Sequence, residues 1–146
     1  MTLRATTLLF AASFAAPVFA QDAGDPEAGE NLYNRCAACH MIQSPDGDMI
    51  QRGGRVGPNL WGVAGGPAAQ VEDFRYGDGI LEAAEMGLEW TEENFVAYTE
   101  DPQAFLREYT DNSGARSKMA FKLREGGADL YAYLLEVAPH EDAGGS

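Results

Sequence analysis

Two cysteines and a histidine form the most distinctive group of reactive side chains in this sequence. Cys36, Cys39 and His40 stand in the order Cys-Ala-Ala-Cys-His. This spacing is typical of covalent haem c attachment, in which the two thiols bond the two vinyl groups as thioethers. Because the edge of the porphyrin is then fixed, the adjacent histidine can place its imidazole on the iron. The motif therefore predicts one haem c, with His40 as an iron ligand.

Two other kinds of site also use closely spaced cysteines. A thioredoxin-like redox pair would follow a strand in a βαβ pattern, and the sequence shows no such pattern. A zinc site would need two more ligands. The chain has no third cysteine, and its other histidine, His140, lies alone near a glycine-rich tail. Haem attachment explains the motif better than either alternative.

The sixth iron position is either filled by the protein or open. Methionine is the natural candidate, since a neutral thioether favours ferrous iron and raises the reduction potential. Met41 is too close to His40 in sequence to reach the opposite face, and Met49 is predicted in a loop on the same side. Met86 is predicted to be a helix residue packed in the core. Met119 is the favoured ligand, with a role as a core side chain as the alternative.

Helix signals surround the motif and supply the elements that must position it. Asp25 and Thr91 each stand where a helix N-cap is expected, and Asp101 precedes a proline in the same way. The helix after Thr91 is predicted to end near residue 99, and the one after Asp101 to run through Leu106. Apolar residues three and four apart predict a final helix over 127–137. No strand, repeat or second domain is predicted, so the fold class is all-α.

The first twenty residues have the features of a secretory signal. They contain Arg4, an apolar stretch over residues 8–18, and the small residue Ala20 at the expected cleavage position. A core helix is the alternative, but the segment lacks an amphipathic period. Cleavage would leave residues 21–146 as one domain with an acidic, glycine-rich tail from about residue 139. The sequence therefore predicts an exported protein of the periplasm.

Composition excludes several classes of protein. The chain has 146 residues, 45% of them hydrophobic, and a formal net charge of −13. This composition is typical of a globular domain and not of a disordered acidic segment. So negative a chain is not expected to bind nucleic acid or anionic lipid through its overall surface. No apolar run reaches the roughly 18 residues of a membrane span, so no transmembrane segment is predicted.

Taken in order along the chain, these motifs resemble the class I cytochromes c of the cytochrome c2 and mitochondrial type. The likeness covers nearly all of residues 21–146. It implies a small helical fold around one haem and a single-electron carrier of a respiratory or photosynthetic chain, not an enzyme. The matching segments are Gly29, Tyr33, Cys36-Ala37-Ala38-Cys39-His40, Gly57-Pro58-Asn59-Leu60, Phe74-Arg75-Tyr76, Trp90-Thr91-Glu92-Glu93-Asn94, Tyr98, Pro102, Lys118-Met119-Ala120-Phe121 and Asp129-Leu130-Tyr131-Ala132-Tyr133-Leu134.

The resemblance implies a role for each residue around the haem. His40 and Met119 would be the axial ligands, and Cys36 and Cys39 the thioether donors. The carbonyl of Pro58 would accept the other imidazole N–H of His40, which fixes the ring and raises its basicity.

Three aromatic residues are implied to lie beside the ring. Tyr76 and Trp90 would hydrogen-bond a haem propionate, and Tyr98 would lie next to the methionine sulfur. Their alternative role is that of buried core aromatics. Gly29 and Tyr33 would pack against the last helix.

This chain departs from the resemblance in three places. Residues 43–48 lengthen the segment 41–57, which is predicted to be a loop. Residues 107–116 form a second insertion, just before Met119. Gly66 stands where the family has an arginine near the propionates, so a carboxylate would be less well neutralised and the potential lower.

The charges are unevenly distributed along the sequence. Residues 72–101 contain ten acidic residues and only one basic residue, Arg75. A basic strip follows, with no acidic residue between its members, Arg116, Lys118, Lys122 and Arg124. One interpretation is a docking surface at the haem edge for an acidic redox partner. The other is a solvated basic loop, and a monomer is expected in either case.

Two other functions remain open at this stage. The chain could bind a small ligand or act as a haem sensor if Met119 were displaceable, and the insertion before Met119 is the feature that favours this. It could also be the haem subunit of a periplasmic oxidoreductase or have peroxidase-like activity. An enzyme would require a distal acid–base group or an open iron site.

Overall fold

A computed structural model describes residues 23–141. The predicted signal over residues 1–20 and the last five residues of the predicted tail lie outside this range. Within it the regular structure is mainly helical, with one small antiparallel hairpin. The elements are α1 (Pro26–Tyr33), β1 (Ile42–Gln43), β2 (Met49–Gln51), α2 (Asp78–Glu85), α3 (Glu92–Glu100), α4 (Pro102–Tyr109) and α5 (Gly127–Val137).

Helices α1 and α5 cross in close contact. The backbone N–H of Asp25, the cap of α1, donates to Asp129 Oδ1 at 2.8 Å. A Cβ on Gly29 would lie 2.0 Å from the Asp129 carbonyl oxygen, so only glycine permits this crossing. The rings of Tyr33 and Tyr133 pack 6.1 Å apart beside it. This is the packing that the resemblance implied, and it sets the direction in which α1 delivers the cysteine motif.

Helices α3 and α4 begin where the sequence predicted. Thr91 Oγ1 accepts from the N–H of Asn94 at 3.2 Å, and Asp101 Oδ1 accepts from the N–H of Ala104 at 3.1 Å. Helix α4 continues to Tyr109, one turn beyond the predicted end. The insertion predicted over residues 107–116 therefore begins inside α4.

Helix α2 corrects the prediction for Met86. The buried residues of this helix include Ile80 and Ala83, whereas Met86 is the residue after its end and is 55% exposed. Gly87 follows with φ +85°, a left-handed conformation that turns the chain away from the helix. The prediction that Met86 packs in the core is wrong because the helix ends one residue too early.

The segment predicted to be a loop contains the hairpin β1–β2. The predicted insertion forms its turn, where Gly47 adopts φ +94° and its N–H donates to the Ser44 carbonyl at 3.0 Å. Ile42 is fully buried, and Gln51 Nε2 donates to Tyr133 Oη at 2.7 Å. Strands of two and three residues are too short to show an alternating pattern, so the sequence did not reveal them.

Within residues 23–141, no helix is both long enough and apolar enough to cross a bilayer.

Candidate haem site

The elements enclose a cavity of about 410 Å³. Apolar side chains supply most of its walls, including Ile80 from α2, Phe95 from α3 and Leu130 from α5. All the site residues predicted from the sequence line it, namely Cys36, Cys39, His40, Pro58, Tyr76, Trp90, Tyr98 and Met119. The fold thus gathers residues separated by more than eighty positions around one space.

The cysteine motif forms a tight turn directly after α1. The N–H groups of Cys39 and His40 both donate to the Cys36 carbonyl at 3.0 Å. The hydroxyl of buried Tyr33 donates to the His40 carbonyl at 2.9 Å. The two cysteines form no disulfide with each other. Before any thioether forms, burial raises the pKa of the Cys36 thiol to about 11, with Arg35 opposing the rise and Cys39 adding to it. The turn therefore presents two neighbouring thiols and an imidazole to the same cavity.

A glycine-rich segment closes over this turn. The N–H of Gly54 donates to the Ala37 carbonyl at 2.9 Å, and the N–H of Gly57 donates to the Cys39 carbonyl at 2.8 Å. A Cβ on Gly53 would lie 1.8 Å from the His40 carbonyl oxygen. These close contacts leave no room for larger residues, so the glycines fix the backbone of the turn from its outer side.

The His40 ring is held in one orientation. Its Nδ1–H donates to the Pro58 carbonyl at 2.8 Å, so the neutral tautomer with Nδ1 protonated is the one that fits. Burial lowers the pKa of His40 below its ordinary 6.5, and the Pro58 bond opposes this shift. A neutral imidazole with a free lone pair on Nε2 is a good ligand for iron.

Met119 is the methionine that faces the cavity. Among the methionines of residues 23–141, the other three, Met41, Met49 and Met86, do not line it. Ser117 Oγ holds the backbone of Met119 at both ends, since it accepts from the Met119 N–H at 3.1 Å and donates to the Met119 carbonyl at 3.0 Å. The sequence preference for Met119 therefore agrees with its position.

Three predicted aromatic residues, Tyr76, Trp90 and Tyr98, form the aromatic cluster at the cavity wall, in which Trp90 and Tyr98 are in ring contact. The rings of Trp90 and Tyr98 lie 4.9 Å apart, and Tyr98 Oη lies 3.4 Å from Ser117 Oγ. Burial raises the pKa of Tyr98, and the Ser117 bond opposes this shift. Tyr76 Oη accepts from the N–H of Val71 at 3.2 Å, and burial raises its pKa as well. Tyr98 is thus placed between the Trp90 ring and the Met119 segment.

Gly66 sits in a turn without space for a side chain. A Cβ there would lie 2.2 Å from the Gly62 carbonyl oxygen and 2.8 Å from His140 Cδ2. An arginine at this position would require both groups to move. His140, isolated in the sequence, packs over this turn.

The basic residues near the site differ in their surroundings. Arg35, Arg116 and Lys118 line the cavity. Lys122 forms a salt bridge with Asp101 at 2.6 Å, with both side chains partly exposed. Arg124 lines a separate cavity of about 210 Å³ together with acidic residues, Glu100, Asp101 and Glu108. The predicted basic strip is therefore divided, and its cavity end also contains Arg35, which was not predicted from the sequence.

Two polar residues near Met119 also escaped the sequence analysis. Ser117 and Gln103 hold the Met119 segment, but a single serine or glutamine has no spacing that marks it.

The structure also bears on the zinc alternative. In the part of the chain that the structure describes, no group of three or more His, Cys, Asp and Glu side chains could hold a metal ion, so the structure gives the zinc alternative no support.

Comparisons with known proteins identify the family. No protein-family model matches the chain. The chain is 54% identical over 136 residues to cytochrome c-551 of Roseobacter denitrificans, a match that covers 92% of this chain and 96% of the relative. It is 46% identical over 123 residues to cytochrome c2 of Rhodobacter capsulatus, covering 84% and 88% respectively. The chain belongs to the class I cytochromes c, of the cytochrome c2 type.

The structural comparison agrees with this class I cytochrome c assignment. The X-ray structure of ferric cytochrome c-550 from Paracoccus versutus matches with a TM-score of 0.76 and 48% identity, over 80% of this chain and 99% of that chain. The predictions of an all-α cytochrome c fold, one covalently attached haem c and electron transfer instead of enzymatic turnover are confirmed. This class I cytochrome c is therefore a single-electron carrier that serves other redox proteins. The donor set of the cavity fits the haem, because it offers two thiols, an imidazole and a thioether within apolar walls.

Proposed function

We propose that His40 Nε2 and Met119 Sδ are the axial ligands of the haem iron, and that Cys36 and Cys39 are its thioether donors. The observation that carries this proposal is that all four side chains line one cavity. The bond from His40 Nδ1 to Pro58 supports it further, since it leaves Nε2 as the nitrogen available to iron.

When bound, the haem supplies a one-electron couple, and the chain's own residues adjust it. The Pro58 carbonyl raises the basicity of the His40 ring by accepting its N–H. As an iron ligand, the thioether of Met119 would favour the ferrous state and raise the potential. The apolar walls would keep water away from the haem. Few mobile dipoles would then have to reorient when the charge on the iron changes.

The aromatic cluster is proposed to orient the cofactor. Tyr76 Oη and the indole N–H of Trp90 would bind a propionate, since both residues line the cavity and carry donors suited to a carboxylate. Tyr98 would lie next to the Met119 sulfur, and its contact with Ser117 supports this placement.

Partner docking is proposed at the basic strip of Arg116, Lys118, Lys122 and Arg124. Its cavity end, Arg116 and Lys118, carries most of the attraction, because Lys122 is partly neutralised by Asp101. Such a surface would orient the haem edge toward an acidic redox protein by steering, through a small and short-lived interface.

The cellular setting completes the proposal. Residues 1–20 would direct export to the periplasm and be removed, and residues 21–146 would function as a single-domain monomer. Cleavage would remove one basic residue, Arg4, and raise the net negative charge from −13 to −14.

An absorption spectrum of the ferric protein tests the ligand assignment. Iron bonded to methionine sulfur gives a weak red charge-transfer band, and Met119→Ala should abolish it. Met86→Ala is the matched control, because Met86 is exposed and outside the cavity lining. A wild-type high-spin spectrum without the band would contradict the proposal and favour an open iron site for ligand binding or catalysis.

Reaction with small charged oxidants tests the docking surface. The overall charge of −13 predicts that added salt speeds reduction of ferricyanide, whereas a basic surface at the haem edge predicts that salt slows it. We expect salt to slow it, and Arg116→Glu to weaken this dependence more than Arg124→Glu. Reduction of a cationic cobalt phenanthroline complex should show the opposite salt dependence. Acceleration of the ferricyanide reaction by salt would contradict the proposed surface.

A further inference from the structure

The segment that leads to Met119 is gripped by a single side chain of α4. Gln103 Nε2 donates to the Ala115 carbonyl, and the N–H of Ser117 donates to Gln103 Oε1 at 3.3 Å. One side-chain amide thus pairs with a carbonyl and an N–H on either side of Arg116, in the way that a neighbouring strand would.

The grip of Gln103 is transmitted to Met119 through one residue. Ser117, whose N–H is bound by Gln103, uses its own Oγ to bind both the N–H and the carbonyl of Met119. Tyr98 Oη contacts the same Oγ at 3.4 Å. The position of the methionine backbone therefore depends on where Gln103 holds Ser117.

The other side of the segment is pressed against α2. A Cβ on Gly79 would lie 2.6 Å from the Arg116 carbonyl oxygen and 3.0 Å from the Arg116 nitrogen. Ala115 is buried, and Asn112 Nδ2 donates to Glu82 Oε2 at 2.9 Å. The segment is thus held between α2, through close packing, and α4, through the two Gln103 bonds.

We propose that Gln103 is a positioning residue that sets how readily Met119 can leave the iron. The inference rests on the proposed role of Met119 as an axial ligand. When Met119 swings away, Ser117 and Ala115 must shift, and the Gln103 bonds resist that shift. Gln103 itself does not line the cavity, so it acts through Ser117 and not through contact with the cofactor.

The test is a titration of the ferric protein with imidazole, which competes with Met119 for the iron. Gln103→Met keeps the length of the side chain and removes both hydrogen bonds. We expect the Kd for imidazole to fall roughly five- to thirty-fold, the range expected for losing one to two hydrogen bonds. Hydrogen exchange at the Ser117 amide should speed up in the same variant.

Gln51→Met is the matched control. It removes a side-chain amide that donates to Tyr133 at 2.7 Å, outside the cavity lining. We expect it to leave the imidazole Kd and the Ser117 exchange rate within about two-fold of wild type, since neither bond of the Met119 segment is touched.

Two outcomes would contradict the proposals in different ways. If Gln103→Met leaves the imidazole Kd unchanged while Met119→Ala abolishes the charge-transfer band, the inference is overturned and the ligand assignment stands. If Met119→Ala retains the wild-type band, the ligand assignment itself fails.

Gln103→Glu is the second variant, for use if Gln103→Met does not fold. It keeps an acceptor for Ser117 and loses the donor to Ala115. An unchanged Kd in that variant would equally overturn the inference.

Discussion

The two segments that supply the proposed iron ligands are held in different ways. The His40 turn is held by close packing together with backbone hydrogen bonds from Gly54 and Gly57. Gly53 and Gly54 contact its backbone, and Gly57 contacts the His40 ring, too closely for any side chain. The Met119 segment is held on its α4 side by hydrogen bonds from the side chains of Gln103 and Ser117. Close packing has one arrangement, whereas a hydrogen bond can break and reform. Ligand exchange is therefore expected at Met119 and not at His40. Substitutions that disturb the packing around His40 should lower the stability of the protein without changing how readily Met119 leaves the iron.

The largest effect is expected from Gly57→Ala. The new Cβ would lie 2.3 Å from His40 Cε1, and the ring cannot move without breaking its bond to Pro58. We expect a loss of stability at the upper end of the range of about 1–3 kcal/mol typical of overpacked cores, and a low yield of haem-loaded protein. Thermal unfolding and the ratio of haem to protein measure this.

Gly114→Ala is the control for that substitution. Its Cβ would meet only the end of the Asn112 side chain, at 3.1 Å. A Gly57→Ala protein with the stability of Gly114→Ala would show that the His40 segment is more adaptable than its packing indicates.

Tyr33→Phe should cost less and act on stability alone. It removes the hydroxyl that donates to the His40 carbonyl and leaves that partly buried group without its partner, so we expect a cost at the lower end of the about 1–3 kcal/mol typical of buried groups. We expect a lower melting temperature with an unchanged imidazole Kd. Tyr109→Phe, in which the ring stacked on Phe105 is retained, is the comparison variant. A lower imidazole Kd in Tyr33→Phe would show that contacts of the His40 turn also affect Met119, and would contradict the distinction between the two segments.

The stabilising effect of Asp101, the N-cap of α4, should depend on pH. The Lys122 bond, followed by the Ala104 N–H, holds the pKa of Asp101 below its ordinary 3.8. Because the folded pKa is depressed, the stabilisation is present above pH 3.8 and is lost as the pH falls through the folded pKa. We therefore expect wild type to melt above Asp101→Asn near neutral pH, and the difference to disappear as the pH falls through the folded pKa of Asp101. Melting curves across this range that stay parallel would contradict the prediction.

The smallest effect is expected from Lys118→Gln. Lys118 Nζ donates to the Arg75 carbonyl at 2.8 Å, but the contact is exposed. Exposed charged contacts contribute less than about 1 kcal/mol, so the imidazole Kd should change by less than about five-fold. A larger change in the imidazole Kd than that of Gln103→Met would show that the main restraint on Met119 is the contact of Lys118 with Arg75, and not the contact with α4.

The sequence revealed the features that depend on local chemistry. The cysteine motif, the caps at Asp25, Thr91 and Asp101, and the 127–137 helix are each marked by residue type or spacing within a few positions. Features that depend on distant contacts were missed. The hairpin turn and the end of α2 are at Gly47 and Gly87, and glycine is typical of both positions. The strands that Gly47 joins have only two and three residues, however, so no alternating pattern indicated that they pair.

The residues of the candidate site likewise divide into those that the sequence predicted and those that it missed. The cavity lining followed from the motif and from the resemblance, because residues of distinctive chemistry occur there in a recognisable order. The Gln103 grip could not be predicted, since a lone glutamine gives no signal until α4 places it beside residues 115–117. The partial neutralisation of Lys122 by Asp101 was hidden in the same way, by a separation of 21 positions.

The crossing of α1 and α5 has a consequence for chain topology. The hydrogen bond between Asp25 and Asp129 joins positions 104 residues apart, so the folded backbone is nearly a closed ring. Closing so long a loop is entropically costly and makes the contact order high. A circular permutant cut at the exposed tip of the hairpin, at Gly47, would convert this crossing into a local hairpin of helices, and we expect it to fold faster around the same cavity.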